Sequence, residues 1–291
     1  MRVFVTGATG FVGIPTVKAL IAAGHEVLGM ARSEQGEKSL AAIGAEVHRG
    51  SLEDVDSLRA GAAAADAVIH LGFVHDWSNF ARSCEIDRHA IEALGSVLAG
   101  SDKLLIVTAG TAGLTGQGRV ATEDDDVPPD YPLPRVSEQT ALSLEGVRAA
   151  IVRLPQVHDT ARQGLLTYAV AVAREKGVSA YVGEGRNRWA AAHISDVARL
   201  YRLALEKNEA GAKYHAVAEE GVRMFDIADA IGRALNVPVR SISAQEAPAH
   251  FGWLATFAGL DLVASSEKTR KTLGWNPTGP GLIADLERVD A

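Results

Sequence analysis

Val3-Phe4-Val5-Thr6-Gly7-Ala8-Thr9-Gly10-Phe11-Val12-Gly13 opens the chain with a short apolar run, a glycine turn and then, from Ile14 to Ala23, apolar residues at helical spacing. The apolar run reads as a buried strand and Gly24 as the stop of the helix that follows. A G-x-x-G-x-x-G between a first strand and a first helix is a pyrophosphate cradle. Gly7 permits the tight turn, Gly10 lets backbone amides approach the phosphates, and Gly13 lets the helix pack closely on the sheet. The helix amino terminus adds unpaired N–H groups and a partial positive charge.

The same alternation continues outward from this unit. Strands are predicted at 26–30, 45–47, 67–70, 104–107 and 150–154, with helices at 37–43, 54–61, 80–98 and 137–146 between them. Strands separated by helices of this length imply right-handed crossovers and a parallel sheet, so the fold class is an α/β, doubly wound Rossmann sheet. Beyond Pro155 the pattern is less regular. Helices are expected at 164–176, 195–206, 224–235 and 266–273, and strands at 179–182, 213–217 and 239–242. Residues 1–160 form the dinucleotide-binding domain on this reading. Residues 161–291 form a smaller, mostly helical substrate-binding portion, with some segments returning to the first. One compositional break, Thr122 to Pro134, holds four consecutive acids, Glu123 to Asp126, and then four prolines; it reads as an exposed loop, either a linker or an overhang above a site.

Composition narrows the classes further. The 291 residues carry 29 basic and 36 acidic side chains, 47% hydrophobic residues and one cysteine, which excludes a disordered chain and an internally disulfide-linked one. No basic stripe follows a nucleic-acid backbone, and no window reaches the roughly 20 apolar residues that span a bilayer. The amino terminus lacks the long apolar region of a signal peptide, so a cytoplasmic protein with a small-molecule substrate is expected. His215 and His250 have no carboxylate or cysteine at ligand spacing and no metal site is predicted, while Cys84, with no base beside it, is expected to be a packed thiol.

The end of the second strand discriminates between cofactors. A free adenosine ribose calls for Asp or Glu there, whereas Met30-Ala31-Arg32-Ser33 offers a guanidinium and a hydroxyl suited to a 2′-phosphate. NADP is favoured over NAD.

The chain resembles the short-chain dehydrogenase/reductase superfamily, in its extended and atypical branches related to the NAD-dependent epimerase/dehydratases. The glycine loop carries the likeness, with Gly50-Ser51-Leu52, His70-Leu71-Gly72, Thr108-Ala109-Gly110-Thr111, Arg153-Leu154-Pro155-Gln156-Val157, Ala192-His193-Ile194-Ser195-Asp196 and Leu273-Gly274-Trp275-Asn276-Pro277. The resemblance implies a cofactor lying along Gly7, Thr9, Gly10, Phe11, Val12 and Gly13. It places adenine near Ser51 and Leu52, the ribose and diphosphate beside Leu71, Gly72 and Phe73, and the nicotinamide near Thr108, Pro155 and Val157. It also implies oligomers, as is common among such proteins.

Catalysis in that superfamily uses Ser or Thr, Tyr and Lys, the tyrosine exchanging a proton with the substrate oxygen. Thr111 occupies the Ser/Thr place, where it equally fits a turn threonine bonded to local backbone. No tyrosine here has a lysine four residues on; Tyr131 and Arg135 come nearest, separated by Pro132 and Pro134. Pro134 fits the first turn of a helix better than the interior of one, with Glu138 a turn further on. His75, with Phe73, Asp76 and Trp77 around it, is a second candidate proton donor at the ligand-binding end of the fourth strand. Arg186 to Trp189 reads as a polar and aromatic loop able to close over a substrate, or as a solvated turn. Ser195 or Asp196 is expected to cap a helix, with His193 a buried partner.

The functions these residues support are an NADP-dependent oxidoreductase acting on a small carbonyl or alcohol, a nucleotide-sugar epimerase or dehydratase, and a non-catalytic NADP-binding sensor. The phosphate clamp is testable alone. Arg32→Glu is expected to weaken NADP binding far more than NAD binding in paired calorimetric titrations; equal losses would sink the assignment.

Overall fold

The computed structural model describes residues 1–114, 119–128 and 134–289. Its strands are β1 (Arg2–Thr6), β2 (Glu26–Ala31), β3 (Glu46–Arg49), β4 (Ala67–His70), β5 (Leu104–Gly110), β6 (Arg148–Leu154), β7 (Gln156–His158), β8 (Ser179–Val182), β9 (Arg188–His193), β10 (Lys213–His215), β11 (Glu219–Arg223) and β12 (Val239–Ile242). The longer helices are α1 (Gly13–Ala22), α2 (Glu34–Ala41), α3 (Val55–Ala63), α4 (Phe80–Leu98), α5 (Ser137–Ser143), α6 (Leu166–Lys176), α7 (Ile194–Lys207) and α8 (Met224–Leu235). Four short ones follow, α9 (Ala247–Phe251), α10 (Ala255–Ala258), α11 (Glu267–Leu273) and α12 (Leu282–Leu286).

Seven strands form a parallel sheet in the order β10-β6-β5-β4-β1-β2-β3, the doubly wound topology read from the sequence. The alternation of β1 explains its two faces. Val3 and Val5 enter the layer that holds α1 and α7, with Leu20, Leu200 and Tyr201. Phe4 enters the opposite layer with Leu58 of α3 and Ile91 and Leu94 of α4. A strand apolar on both faces is what a sheet covered by helices on both sides requires. The strand order reverses between β1 and β4, and the crevice outside their carboxyl ends is where such sheets bind ligands.

The later part of the chain does not stand apart. β10 pairs with β6 at the edge of the main sheet, and Asp196 of α7 receives the Thr278 and Gly279 N–H groups at 3.0 and 2.8 Å while its carbonyl receives Trp275 Nε1 at 2.9 Å. Asp196 is therefore a tether rather than a cap; the α7 cap is His193, whose ring nitrogen receives the Ser195 N–H. A three-stranded sheet, β11-β9-β7, and a two-stranded one, β12-β8, lie over a third core around Trp189, Ile227, Phe251, Phe257 and Leu286. The segment 186–189 is thereby corrected. It runs from a turn into β9, Arg188 is bound to Asp261 at 2.9 Å, and Trp189 is buried.

Each acid of the run is tied to a partner, while Val127, the next residue, reaches the crevice outside the carboxyl ends of the sheet. Glu123 is buried and receives the Thr269 N–H and hydroxyl at 2.7 and 2.6 Å near the start of α11. Asp124 pairs with Lys268, Asp125 with Arg119, and Asp126 with Lys213. Beneath them lies Arg153, fully buried on β6. It donates to both oxygens of Glu138, at 2.7 and 2.5 Å, to the Asp125 carbonyl at 2.7 Å and, more distantly, to the Glu123 carbonyl. His215 Nε2 lies 3.1 Å from the same guanidinium. The helix expected to begin at Pro134 starts at Ser137, three residues later.

Removing one partner of a buried ion pair leaves the other charge without compensation, which costs about 3–5 kcal/mol. Arg153→Ala is expected to lower the unfolding free energy by about that amount in urea titrations, whereas Lys268→Ala, an exposed pair, stays within about 1 kcal/mol. A near-neutral Arg153→Ala would show that the acidic segment is not held from below.

Candidate functional site

The glycine loop is built by close contact. Gly7 has φ +64°, and a Cβ there would lie 2.7 Å from the backbone nitrogen of Gly72. At Gly13 a Cβ would lie 2.0 Å from the Gly7 carbonyl oxygen, so β1, α1 and the chain leaving β4 meet where only hydrogen fits. No side chain caps α1, and among the described residues neither the Phe11 nor the Val12 amide finds a backbone acceptor. These free donors and the missing side chains fit a pyrophosphate.

From this loop a cleft of about 1050 Å³ runs across the carboxyl ends of β1, β4, β5 and β6. It brings together Gly7, Thr9, Gly10, Phe11, Val12 and Gly13 with Arg32, Ser51, Leu52, Leu71, Gly72, Phe73, Thr108, Thr111, Pro155 and Val157, and also His75 and Arg135. Ser33 does not line it; its hydroxyl receives the Gly36 N–H and caps α2. Arg32 is exposed, and among the described residues its side chain has no hydrogen-bond or ion-pair partner. Tyr131 lies outside the described residues.

A buried polar chain runs behind the cleft. Thr6 Oγ1 receives the Gly72 N–H at 3.2 Å and shares a hydrogen bond with His70 Nδ1 at 2.8 Å. His70 Nε2 then donates to Asp87 on α4 at 3.2 Å, and the second Asp87 oxygen receives the Ser137 hydroxyl at 2.5 Å. Ser137 Oγ in turn receives Arg135 Nε at 2.9 Å. A second guanidinium nitrogen of Arg135 donates to the Thr108 carbonyl at 3.2 Å, and the group lies 4.2 Å from the Phe73 ring centroid. Arg135 is thus held on three sides, although it precedes α5 instead of lying on it. Four residues after Pro134, Glu138 meets the cleft with its carboxylate bound to Arg153.

Burial alone would raise the Asp87 carboxyl. The hydrogen bond and charge of His70, with Arg135 and Ser137, more than offset it and hold the group below the usual carboxylate range. At His75 the desolvating cleft wall and then the Arg135 charge lower the imidazole, so the ring is neutral at neutral pH. Thr111 is buried, its hydroxyl reaching the Leu154 carbonyl at 3.4 Å. Cys84 is a packed thiol pushed up to about 11 by burial. Tyr201, buried under the sheet, shares a 2.7 Å hydrogen bond with the Thr108 hydroxyl.

At the far end the cleft is aromatic. Trp77 stacks with Trp253 at 4.2 Å and 11° and with Phe80 at 5.1 Å and 12°, while Phe257 meets it edge-on at 6.3 Å. Sequence reasoning missed Asp87, Ser137, Trp253 and Phe257. Asp87 left one signal, an acid on the buried face of α4 among Cys84, Ala90, Ile91 and Leu94; the others left none. Among the described residues no cluster of His, Cys, Asp and Glu could hold a metal ion, and no helix is long and apolar enough to cross a membrane.

A doubly wound sheet with a phosphate cradle at its switch point defines a dinucleotide-binding protein of the Rossmann class. The chain belongs to the NAD dependent epimerase/dehydratase family, which it matches over residues 3–218. It is a nicotinamide-dependent enzyme of short-chain dehydrogenase/reductase type. It is 47% identical over 290 residues to an uncharacterized protein of Schizosaccharomyces pombe, covering 98% of each chain. It is 26% identical over 327 residues to the 4-hydroxy-2-methyl-3-oxo-4-farnesyl-3,4-dihydroquinoline-1-oxide ketoreductase of Stigmatella aurantiaca, covering all of this chain and 95% of the relative. Its fold is similar to that of MoeE5 in complex with UDP-glucuronic acid and NAD, with a TM-score of 0.75 at 19% identity over 99% of this chain and 97% of that one.

The depressed Asp87 carboxyl has a pH consequence. A folded-state pKa below the unfolded value of about 3.9 contributes stability above that pH, and the contribution fades as pH falls through the folded value. Asp87→Asn is expected to be less stable than wild type at pH 7, with the gap in Tm narrowing below about pH 4. A gap that stays constant or widens in acid would contradict the assigned shift.

Proposed function

We propose that this protein is an NADP-dependent reductase of small carbonyl compounds, also able to oxidise the corresponding alcohols, working without the Tyr-x-x-x-Lys pair. The observation that carries the reading is the continuous cleft from the glycine loop and Arg32, past a fixed Arg135, to an aromatic end. The glycine loop would hold the diphosphate, Arg32 the 2′-phosphate, Ser51 and Leu52 the adenine, and Leu71 to Phe73 with Thr108, Pro155 and Val157 the remainder of the cofactor. When bound, the nicotinamide gives a hydride to the carbonyl carbon or accepts one from the alcohol carbon. The ketoreductase relative carries out a chemistry of this class.

Thr111, on turning its hydroxyl from the Leu154 carbonyl 3.4 Å away, donates a hydrogen bond to the substrate oxygen. Arg135 stabilises the negative charge that develops there, in place of the ammonium found in the superfamily. The proton that converts this oxygen to a hydroxyl comes from Tyr131 or, through His75, from solvent. A neutral His75 accepts the alcohol proton in the oxidising direction and supplies one for reduction only once protonated.

The deciding experiment follows NADPH consumption by purified protein over a panel of aldehydes and ketones. Turnover is expected, with NADPH preferred to NADH and the rate constant falling about 10²-fold in Arg135→Ala and Thr111→Ala. Tight NADPH binding with no consumption across the panel would instead favour a non-catalytic sensor, for which the missing lysine and the ion-paired Glu138 speak.

A further inference from the structure

The aromatic end of the cleft goes further than the reductase reading on which this inference rests. We propose that the substrate is a carbonyl compound with a flat aromatic or conjugated skeleton, bound against Trp77, Phe80, Phe257 and Tyr168, and not a nucleotide-diphosphate sugar. These four residues line the cleft, yet they come from three distant parts of the chain: the segment after β4, helix α6 and helix α10. Their geometry is fixed before any ligand arrives. The near-parallel Trp77–Trp253 and Trp77–Phe80 pairs lock the Trp77 indole, Phe257 meets it at 72°, and Tyr168 meets Trp253 edge-on at 4.9 Å and 78°. A wall of pre-ordered rings loses little entropy on binding and favours ligands that offer a π-face or ring edge.

Charge argues in the same direction. Away from a glycine loop and helix amino terminus such as that of α1, a diphosphate asks for paired cations or forked guanidinium groups. Three arginines and no lysine are among the described residues that line the cleft. Arg32 lies at the nucleotide end, and Arg135 is held at Thr108, Ser137 and the Phe73 ring. Arg188, on β9 beside Trp189, is neutralised by Asp261, which takes both its backbone N–H and its guanidinium. Among the described lining residues only Arg162 remains for the substrate end, and one guanidinium does not balance a diphosphate.

The test uses the NADP⁺-loaded protein and direct binding, read by calorimetry and indole fluorescence, with 2-acetylnaphthalene, cyclohexanone and UDP-glucose as probes. 2-Acetylnaphthalene is expected to bind about tenfold or more tighter than either of the others and to quench indole emission. Tyr168→Ala removes a side chain that is 40% exposed and outside the packed core, and is expected to weaken 2-acetylnaphthalene about threefold to tenfold with NADP⁺ affinity unchanged within about twofold. Trp77→Ala is the larger change, and its NADP⁺ affinity reports whether the fold survives. Binding of UDP-glucose as tight as that of the naphthyl ketone, or naphthyl binding indifferent to both variants, overturns the proposal. The two readings fail separately. Naphthyl binding without hydride transfer supports this substrate class and removes the reductase reading, whereas turnover of aliphatic ketones without naphthyl binding does the reverse.

Discussion

Three backbone segments meet at the glycine loop with no room for a carbon atom between them, and the rest of the molecule is arranged around that contact. The turn after β1 crosses the chain leaving β4 at Gly7 and Gly72, and α1 descends from Gly13 against the Gly7 carbonyl. Because the contact fixes where β4 ends, it fixes where Leu71 to Trp77 emerge, and hence where the aromatic wall begins. It also leaves the α1 amino terminus open on the cleft side. One steric constraint therefore sets both the glycine-loop end of the cleft and the start of its aromatic end.

Behind the cleft, polar groups are buried at a cost that only mutual pairing offsets. The chain Thr6, His70, Asp87, Ser137, Arg135 is satisfied link by link. Its outcome is a guanidinium held in one place without belonging to a helix. The Arg135 guanidinium is held through Ser137 by a carboxylate on α4, 48 residues earlier in sequence. The shift of the Asp87 carboxyl is the signature of that arrangement.

A second network around Arg153 joins the two ends of the sequence. Glu123 and Asp125 are drawn onto β6 from above, Glu138 from the side, and α11 is docked through Thr269. The acidic run that resembles a solvated loop in composition is thus an inter-element clamp. Composition reports average exposure, while the burial of Glu123 depends on an arginine and a threonine that follow it by 30 and 146 residues.

What the sequence by itself determined is what local periodicity and short motifs encode. The strand, glycine turn and first helix, the bounds of α4 and α8, the parallel sheet and the cofactor side of the cleft all follow from spacings of a few residues, where steric rules act on neighbours. The position of Arg32 at the cleft was legible for the same reason, because the end of β2 is a fixed station in such a sheet. Local pattern failed where elements were too short to show a period, as in β7, or too alanine-rich to choose one, as in β9. The tertiary structure alone decided the role of Asp87, the tether at Asp196, the clamp at Glu123 and the union of Trp77 with Trp253 and Phe257. Each depends on groups far apart in sequence meeting in the folded chain, where a buried charge must find its partner and a ring its face, and no window along the chain contains both members of such a pair.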